Sequence, residues 1–72
     1  MPRMIPVESS SVKSLGYDAS KQQLHVQFID KSDAYVYDGV PQWVYKQLLG
    51  SSSKGRFINR VIKPRYAFRR AS

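Results

Sequence analysis

The chain contains no cysteine and only one histidine, His25. Without cysteine it cannot form a disulfide scaffold, a thiol nucleophile or a cysteine-based zinc site. A single imidazole is too few ligands for a transition-metal site, so we expect no metal and no cofactor. His25 alternates out of the predicted core and has no acid or nucleophile near it in sequence. We therefore interpret it as a surface residue and expect no catalytic residues.

The chain also lacks long apolar runs. No stretch approaches the roughly 18 residues that a membrane-spanning helix needs, and residues 1–6 contain no apolar segment long enough for a signal peptide. We therefore expect a cytoplasmic protein that has no membrane partner. The 72 residues suffice for one domain with a small core, and five tyrosines, three phenylalanines and one tryptophan should form much of it.

Acidic residues are missing from the second half of the chain. All five lie at or before Asp38, whereas seven of the twelve basic residues lie between Lys54 and Arg70. The formal net charge of +7 is therefore concentrated in the C-terminal half. A basic segment without acids is typical of proteins that bind a polyanion, of which nucleic acid is the commonest.

Three short segments have the pattern of β-strands. Residues 12–18 alternate around Leu15 and Tyr17, although Val12 breaks the two-residue period and predicts a bulge or a late strand start. Residues 24–28 alternate most clearly, and residues 34–38 place Tyr35 and Tyr37 on one face. Turn-forming residues separate the three segments. The pattern predicts an antiparallel meander.

Two helical patterns follow the meander. The first begins near Pro41, which suits a first helical turn, and ends at Gly50. Its apolar face holds five residues, namely Pro41, Val44, Tyr45, Leu48 and Leu49. In the second pattern four apolar residues share one side, namely Phe57, Ile58, Val61 and Ile62. Pro64 should end this helix, and Lys63 before it should leave the helical region.

The predicted fold class is α+β, with a small three-stranded antiparallel meander and two short helices packed on one face. Residues 1–9 contain two prolines and little periodicity, so we expect a loose lead-in. The single domain spans residues 10–66, and residues 67–72 form a basic C-terminal tail. This tail could add a fourth strand or lie across the surface.

The order of these motifs is similar to that of a known family. The motifs are Ser10-Ser11-Val12, Leu15-Gly16-Tyr17-Asp18, Leu24, Val26, Phe28, Tyr35-Val36-Tyr37, Val40-Pro41, Tyr45, Leu48-Leu49, Ser53-Lys54-Gly55, Phe57, Asn59, Ile62 and Tyr66. Together they resemble the KTSC domain, named for its occurrence at the C-terminus of some lysyl-tRNA synthetases. The family also occurs as small free-standing bacterial proteins, and the chain resembles one of those.

The resemblance implies RNA binding only through the family's association with a tRNA-handling enzyme, and it implies no established molecular activity. The sequence also departs from the family pattern in two places. The turn at residues 30–33 lacks the usual glycine, and Ile58 stands where an aromatic residue is common. The second departure weakens any proposal that a base stacks at that position.

The turn Ser53-Lys54-Gly55 is a candidate anion site. Unpaired backbone N–H groups and the positive end of the helix dipole favour an anion there, and Lys54 adds charge. The simpler interpretation is that Ser53 caps the helix and Gly55 acts as a hinge, and we prefer it. The segment lacks the P-loop pattern, which argues against nucleotide hydrolysis.

The basic residues around the second helix are candidates for nucleic-acid binding. Arg56, Arg60 and Lys63 recur at i, i+4 and i+7, which would place them on one helix face. Asn59 lies within that face and could bind a ligand or tie the helix to the neighbouring turn. The full candidate set is Lys54, Arg56, Asn59, Arg60, Lys63, Arg65, Arg69 and Arg70, of which the last three would form a mobile extension. The alternative is a face that only aids solubility.

Three aromatic residues could stack on a base. Trp43 falls on the polar side of the first helix, where it could bind a base or a protein, or fold over the sheet edge. Tyr35 and Tyr37 could stack as aromatic residues do on other sheet-based RNA binders. Since they occupy the buried face of their strand, we expect them mainly in the core.

The leading hypothesis is therefore a non-enzymatic, monomeric module that binds nucleic acid, RNA rather than DNA on the strength of the resemblance alone. The alternative is a protein-interaction adaptor that docks Trp43 and the basic helix on an acidic partner. A third hypothesis, a small-ligand or enzymatic site near Ser53 to Asn59, has the least support from the sequence.

Overall fold

The computed structural model describes residues 2–71 and confirms an α+β fold, but its antiparallel sheet has five strands rather than three or four. The strands, in their order across the sheet, are β1 (Ile5–Pro6), β2 (Val12–Asp18), β3 (Gln23–Phe28), β4 (Ala34–Tyr37) and β5 (Phe68–Ala71). Between β4 and β5 lie helices α1 (Gln42–Gly50) and α2 (Lys54–Phe57), and α2 continues as a π-helical segment (Ile58–Ile62). We call α2 and this segment together the second helix.

The hairpin of β2 and β3 forms the centre of the sheet. Leu15 lies opposite Val26, and Tyr17 lies opposite Leu24, so the apolar alternation of both strands points to one side. The register shifts between Val12 and Ser14. This shift confirms the bulge that the broken period predicts at the start of β2.

The sequence pattern did not predict β1 and left β5 undecided. β1 has only two residues, too few to show alternation, and its Ile5 pairs with Leu15 at the edge of the sheet. Pro6 is tolerated there because an edge strand needs fewer backbone N–H donors. β5 pairs with β4 through Tyr37 and Phe68, so part of the tail belongs to the sheet. The loose lead-in expected for residues 1–9 is therefore wrong at β1.

The core lies between one face of the sheet and the helices. Both helices contribute aliphatic side chains, and the strands contribute alternate residues. The fully or almost fully buried members are Val12, Leu15, Leu24, Val26, Tyr37, Val40, Val44, Leu48, Ile58 and Ile62. This cluster is small, so each member should contribute a large share of the stability.

The helix patterns are confirmed with three corrections. Pro41 is extended (ψ 155°) and precedes the first turn of α1 instead of lying within it. Leu49, expected on the apolar face, is 37% exposed, whereas neighbouring Leu48 is fully buried. Lys63 keeps helical angles (φ −57°, ψ −42°) although Pro64 follows, and its N–H donates to the Ile58 carbonyl oxygen at 2.8 Å. The restriction before proline is a preference, and this hydrogen bond outweighs it.

Two tyrosines that pack in the core differ in whether their hydroxyl groups form a hydrogen bond. The Tyr17 hydroxyl donates to the Val40 carbonyl oxygen at 2.5 Å, and its ring stacks on Tyr45 at 4.9 Å, which ties β2 to α1. Tyr37 is fully buried, and its hydroxyl has no hydrogen-bond partner within residues 2–71. A buried hydroxyl without a partner destabilises the fold.

The same Tyr→Phe substitution should therefore have opposite effects at these two positions. Tyr17→Phe should lower the free energy of unfolding by about 1 kcal/mol, because it removes a hydrogen bond. Tyr37→Phe should leave it unchanged or raise it by up to about 1 kcal/mol, because it removes an unpaired polar group. Urea unfolding of both variants measures the difference, and equal destabilisation would contradict the expectation.

The opposite face of the sheet is also partly covered. A Cβ atom at Gly16 would lie 2.6 Å from the Met4 sulfur and 3.1 Å from the Arg3 carbonyl oxygen, so the N-terminal segment packs directly on this glycine. His25 lies between Gly16 and Val36 in the sheet and is only 6% exposed. The expectation that His25 is a surface residue is therefore wrong. Its side chain does point away from the helices, but it is buried on that side of the sheet as well.

Candidate functional site

The second helix presents a polar face to solvent. Ile58 and Ile62 are buried beneath it, whereas Arg56, Asn59 and Arg60 are exposed. Lys63 is exposed as well. The separation of apolar and basic sides expected from the sequence is thus present, with the π-helical segment as its C-terminal half. Such segments are frequent at functional sites.

The helix face divides into two groups of polar residues. Arg56 and Arg60 line a cavity of about 220 Å³ together with three serine residues and two apolar residues. The other members of this lining are Ser51, Ser52, Ser53, Phe57 and Val61. Guanidinium groups beside hydroxyl groups can bind phosphate oxygens through charge-assisted hydrogen bonds. We call this cavity the arginine pocket.

Each residue of the candidate anion turn Ser53-Lys54-Gly55 makes a structural contact. The Ser53 hydroxyl accepts a hydrogen bond from the backbone N–H of Arg56 at 3.4 Å, which confirms that Ser53 caps the helix. The Lys54 ammonium donates to the Ser51 carbonyl oxygen at 2.7 Å. A Cβ atom at Gly55 would collide with the Ser11 hydroxyl, so glycine lets the second helix pack closely on Ser11. The Lys54 ammonium is held at the turn by its hydrogen bond and keeps its positive charge.

Asn59 and Lys63 belong to a second groove of about 250 Å³, between the second helix and the ends of β2, β3 and β4. The other lining residues are Ser11, Phe28, Asp30, Lys31, Tyr35 and Gly55. The Lys63 ammonium lies 5.6 Å from the centre of the Phe28 ring, within cation–π range. No hydrogen bond from the Asn59 side chain is present within residues 2–71, so its amide stays available to a ligand.

The arginines of the tail do not converge with those of the helix. Arg69 and Arg70 lie in β5, so the mobile extension expected for them is wrong. Arg69 shares the sheet face of Val36, and its guanidinium pairs with the Asp38 carboxylate at 2.7 Å. This contact, helped by Gln23, lowers the pKa of Asp38. Successive strand residues point to opposite faces, so Arg70 lies on the helix side.

Arg65 is exposed in the turn after the second helix. The three tail arginines thus occupy three separate places, and the predicted cationic set is only partly brought together. The compact part consists of Arg56 and Arg60, with Lys63 on the neighbouring side of the same helix.

The aromatic candidates also separate. Tyr37 is fully buried in the core and cannot stack on a ligand without unfolding, which excludes it as a stacking residue. Tyr35 is half-buried and packs on two other rings. Trp43 is 59% exposed on α1 and does not fold over the sheet edge.

Phe68, which is 55% exposed on β5, was not among the residues expected to stack on a base. Its ring stacks on Tyr35 at 5.3 Å, with an interplanar angle of 17°. The two-residue alternation of Phe68 and Arg70 was a signal that could have placed both on one side of a strand. Alternation assigns residues to faces only within a strand, and the sequence left open whether this segment forms one.

Two further observations concern the whole described chain. Within residues 2–71, no cluster of three or more histidine, cysteine or acidic side chains is close enough to hold a metal ion. None of the helices in this range has the length and apolar character needed to cross a bilayer.

Comparison with known proteins identifies the family. The model of the KTSC domain matches residues 8–66. A protein of Tsukamurella paurometabola is 43% identical over 63 residues, which cover 88% of this chain and 92% of that protein. An uncharacterised protein of Stutzerimonas stutzeri is 41% identical over 64 residues, covering 89% of each.

The fold has a close counterpart among solved structures. The crystal structure of a KTSC domain protein from Yersinia pestis superposes with a TM-score of 0.94 at 35% sequence identity, and the match covers the full length of both chains. The family match spans most of the chain, and the motifs that suggested the resemblance fall almost entirely within it. The chain belongs to the KTSC domain family.

Proposed function

We propose that this protein is a small non-enzymatic module that binds single-stranded RNA through the arginine pocket. The observation that carries the proposal is the pair Arg56 and Arg60, both exposed and both lining one pocket with three serine residues. Neither makes an ion pair within residues 2–71, where the one ion pair joins Arg69 and Asp38. Both guanidinium groups are therefore available to phosphate oxygens.

Charge distribution supports the same partner. The second helix and the segment after it contain no acid, so no carboxylate lies close in sequence to the arginine pocket, and the local field should be positive. Lys63 and Asn59, on the adjacent side of the helix, would extend the interaction along a nucleotide strand. The proposal takes the protein as a cytoplasmic monomer that needs no cofactor, and it prefers RNA to DNA.

The charge-reversal variant Arg56→Glu/Arg60→Glu tests this proposal. We expect it to weaken binding of a fluorescein-labelled single-stranded RNA by at least about tenfold at low salt, as fluorescence anisotropy measures it. The slope of the logarithm of the binding constant against the logarithm of the salt concentration should also become shallower, by about 0.7 for each phosphate that the variant no longer neutralises. Single-stranded DNA of the same sequence tests the preference for RNA.

The matched control is Lys21→Glu/Lys46→Glu, which changes the net charge equally at two exposed positions outside the arginine pocket. We expect it to weaken binding by less than about threefold, through the long-range field alone. Equal losses of affinity in the two double variants would show that only total charge matters, and that result would contradict a site at the arginine pocket.

A protein-interaction adaptor is the second candidate, because Trp43 is 59% exposed on α1. An exposed tryptophan is a typical anchor in protein interfaces. The two functions differ at this residue: Trp43→Ala should leave RNA affinity unchanged if the arginine pocket binds the strand. If that variant instead loses binding to an acidic protein partner while RNA retention is absent in the parent, the adaptor is favoured.

A further inference from the structure

Three aromatic side chains form a row across the helix-facing side of the sheet. Phe28 meets the Tyr35 ring edge-to-face, with centres 5.4 Å apart, and Tyr35 stacks on Phe68 at 5.3 Å. The row runs from β3 through β4 to β5. Since β5 is the edge strand, Phe68 ends the row with no further strand beside it.

The Phe68 ring packs against two other rings although it is exposed. Its ring stacks on the Tyr35 ring and also contacts the Tyr37 ring, whose centre lies 5.7 Å away. Even so, 55% of the residue remains accessible to solvent. An apolar ring that is fixed by stacking and still open can accept a flat partner without losing side-chain freedom at the moment of binding.

Cations lie beside this row at two places. Arg70 lies directly opposite Tyr35 and, two residues after Phe68, points to the same side of the sheet. The Lys63 ammonium lies over Phe28 at the far end. One carboxylate, that of Asp30, lines the same groove as Phe28, Tyr35 and Lys63, whereas the Asp38 carboxylate is paired with Arg69 on the opposite face. Arg70 and Lys63 outnumber the Asp30 carboxylate. The row therefore combines open π-surface with positive charge, which complements a base and its phosphate.

We propose that Phe68 is a stacking platform for one unpaired nucleobase of a bound RNA strand, and that Arg70 contacts the phosphate of that nucleotide. The base adds a fourth ring to the row of Phe28, Tyr35 and Phe68. This inference rests on the proposed function and deepens it, because it names the residue that binds the base and not only the backbone. Stacking of this kind tolerates every base.

Phe68→Ala and Phe68→Trp test the inference together. Phe68→Ala should weaken binding of a ten-residue oligouridylate by about tenfold, within the range that stacking on one aromatic side chain provides. Phe68→Trp keeps an aromatic surface and should bind at least as tightly as the parent. The matched control is Ile5→Ala, which removes an apolar side chain of similar exposure (46%) from the opposite edge strand and should leave affinity unchanged.

An abasic oligomer with the same ribose-phosphate backbone separates the two proposals. The parent should bind the abasic oligomer about tenfold more weakly than oligouridylate, and Phe68→Ala should bind the two equally. Equal binding of both oligomers by the parent would overturn the stacking role while leaving the arginine pocket intact. If the parent binds neither, both proposals fall.

A second measurement does not depend on how the variants fold. In the unmodified protein bound to oligouridylate, nuclear Overhauser effects should connect uracil protons with the Phe68 ring protons. Their absence in a saturated complex, or base contacts to Trp43 instead, would overturn the inference. Analytical sedimentation of the free protein tests whether a second copy of the chain packs on the Phe68 ring instead of a base. A dimer that the Phe68→Ala substitution dissociates would overturn the stacking role.

Discussion

Leu48→Ala is expected to lower the free energy of unfolding by about 2–5 kcal/mol, whereas Leu49→Ala should lower it by less than about 1 kcal/mol. The two residues are neighbours in α1 and undergo the same chemical change. They differ in burial, since Leu48 is fully buried in the core and Leu49 is 37% exposed.

The difference follows from what each truncation leaves behind. Truncation of Leu48 opens a cavity among Val44, Ile58 and the strand residues of a small core, which the surrounding structure can close only in part. Truncation of Leu49 removes a group that already touches water, so less buried area is lost than at Leu48 and no closed cavity forms. A domain of this size has a total stability of only about 4–11 kcal/mol, so the Leu48→Ala variant should unfold readily.

Urea denaturation followed by circular dichroism at 25 °C measures both variants against the parent. The m-value should stay the same in all three proteins, because the surface exposed on unfolding hardly changes. Destabilisation of similar size at Leu48 and Leu49 would mean that α1 is rotated relative to the sheet, and the burial described here would then be wrong.

Acid is expected to destabilise the protein between pH 7 and pH 5, and His25 should cause most of that destabilisation. Burial lowers the pKa of His25, and Arg69 acts in the same direction, while the carboxylates of Asp18 and Asp38 oppose the shift. Neither ring nitrogen has a hydrogen-bond partner within residues 2–71. The folded protein therefore favours the neutral imidazole.

The sign of the effect follows from proton binding. The unfolded chain takes up a proton near the ordinary histidine pKa of about 6.5, while the folded chain does so only at lower pH. Stability from neutral His25 is thus fully present above about pH 6.5 and is lost as the pH falls towards the folded pKa. The steepest possible slope for one group is about 1.4 kcal/mol per pH unit.

His25→Leu should remove this dependence, so that the variant unfolds at the same urea midpoint at pH 5 and pH 7. At pH 7 it should be at least as stable as the parent, because leucine leaves no unpaired polar atom in the site. Below about pH 4 both proteins should weaken further, since hydrogen bonds lower the pKa values of Asp18 and Asp38 and the His25→Leu substitution removes none of those bonds. A parent protein whose stability is constant from pH 7 to pH 5 would contradict the buried, neutral imidazole.

Local patterns predicted most of the elements. Alternation around Leu24 and Val26 identified the central strand, and the broken period at Val12 predicted the bulge. The basic and apolar sides of the second helix also followed from residue spacing, as did the serine cap at Ser53. Each of these features depends on interactions between residues close in sequence.

The elements that were missed depend on residues far apart. β1 is a strand only because Ile5 meets Leu15, and β5 is a strand only because β4 offers it a free edge. His25 was interpreted as exposed because alternation reports which side a residue faces. It does not report what covers that side, and here the segment before β1 packs on the same face at Gly16.

Composition and short-range spacing encode the α+β class, the family and the concentration of positive charge after Asp38, so all three follow from the amino-acid sequence. Which cations share a surface depends instead on long-range packing. Arg69 and Arg70 are adjacent in sequence, yet one pairs with Asp38 behind the sheet and the other lies beside the aromatic row. A β-strand turns successive side chains to opposite faces, so closeness along the chain became separation in space.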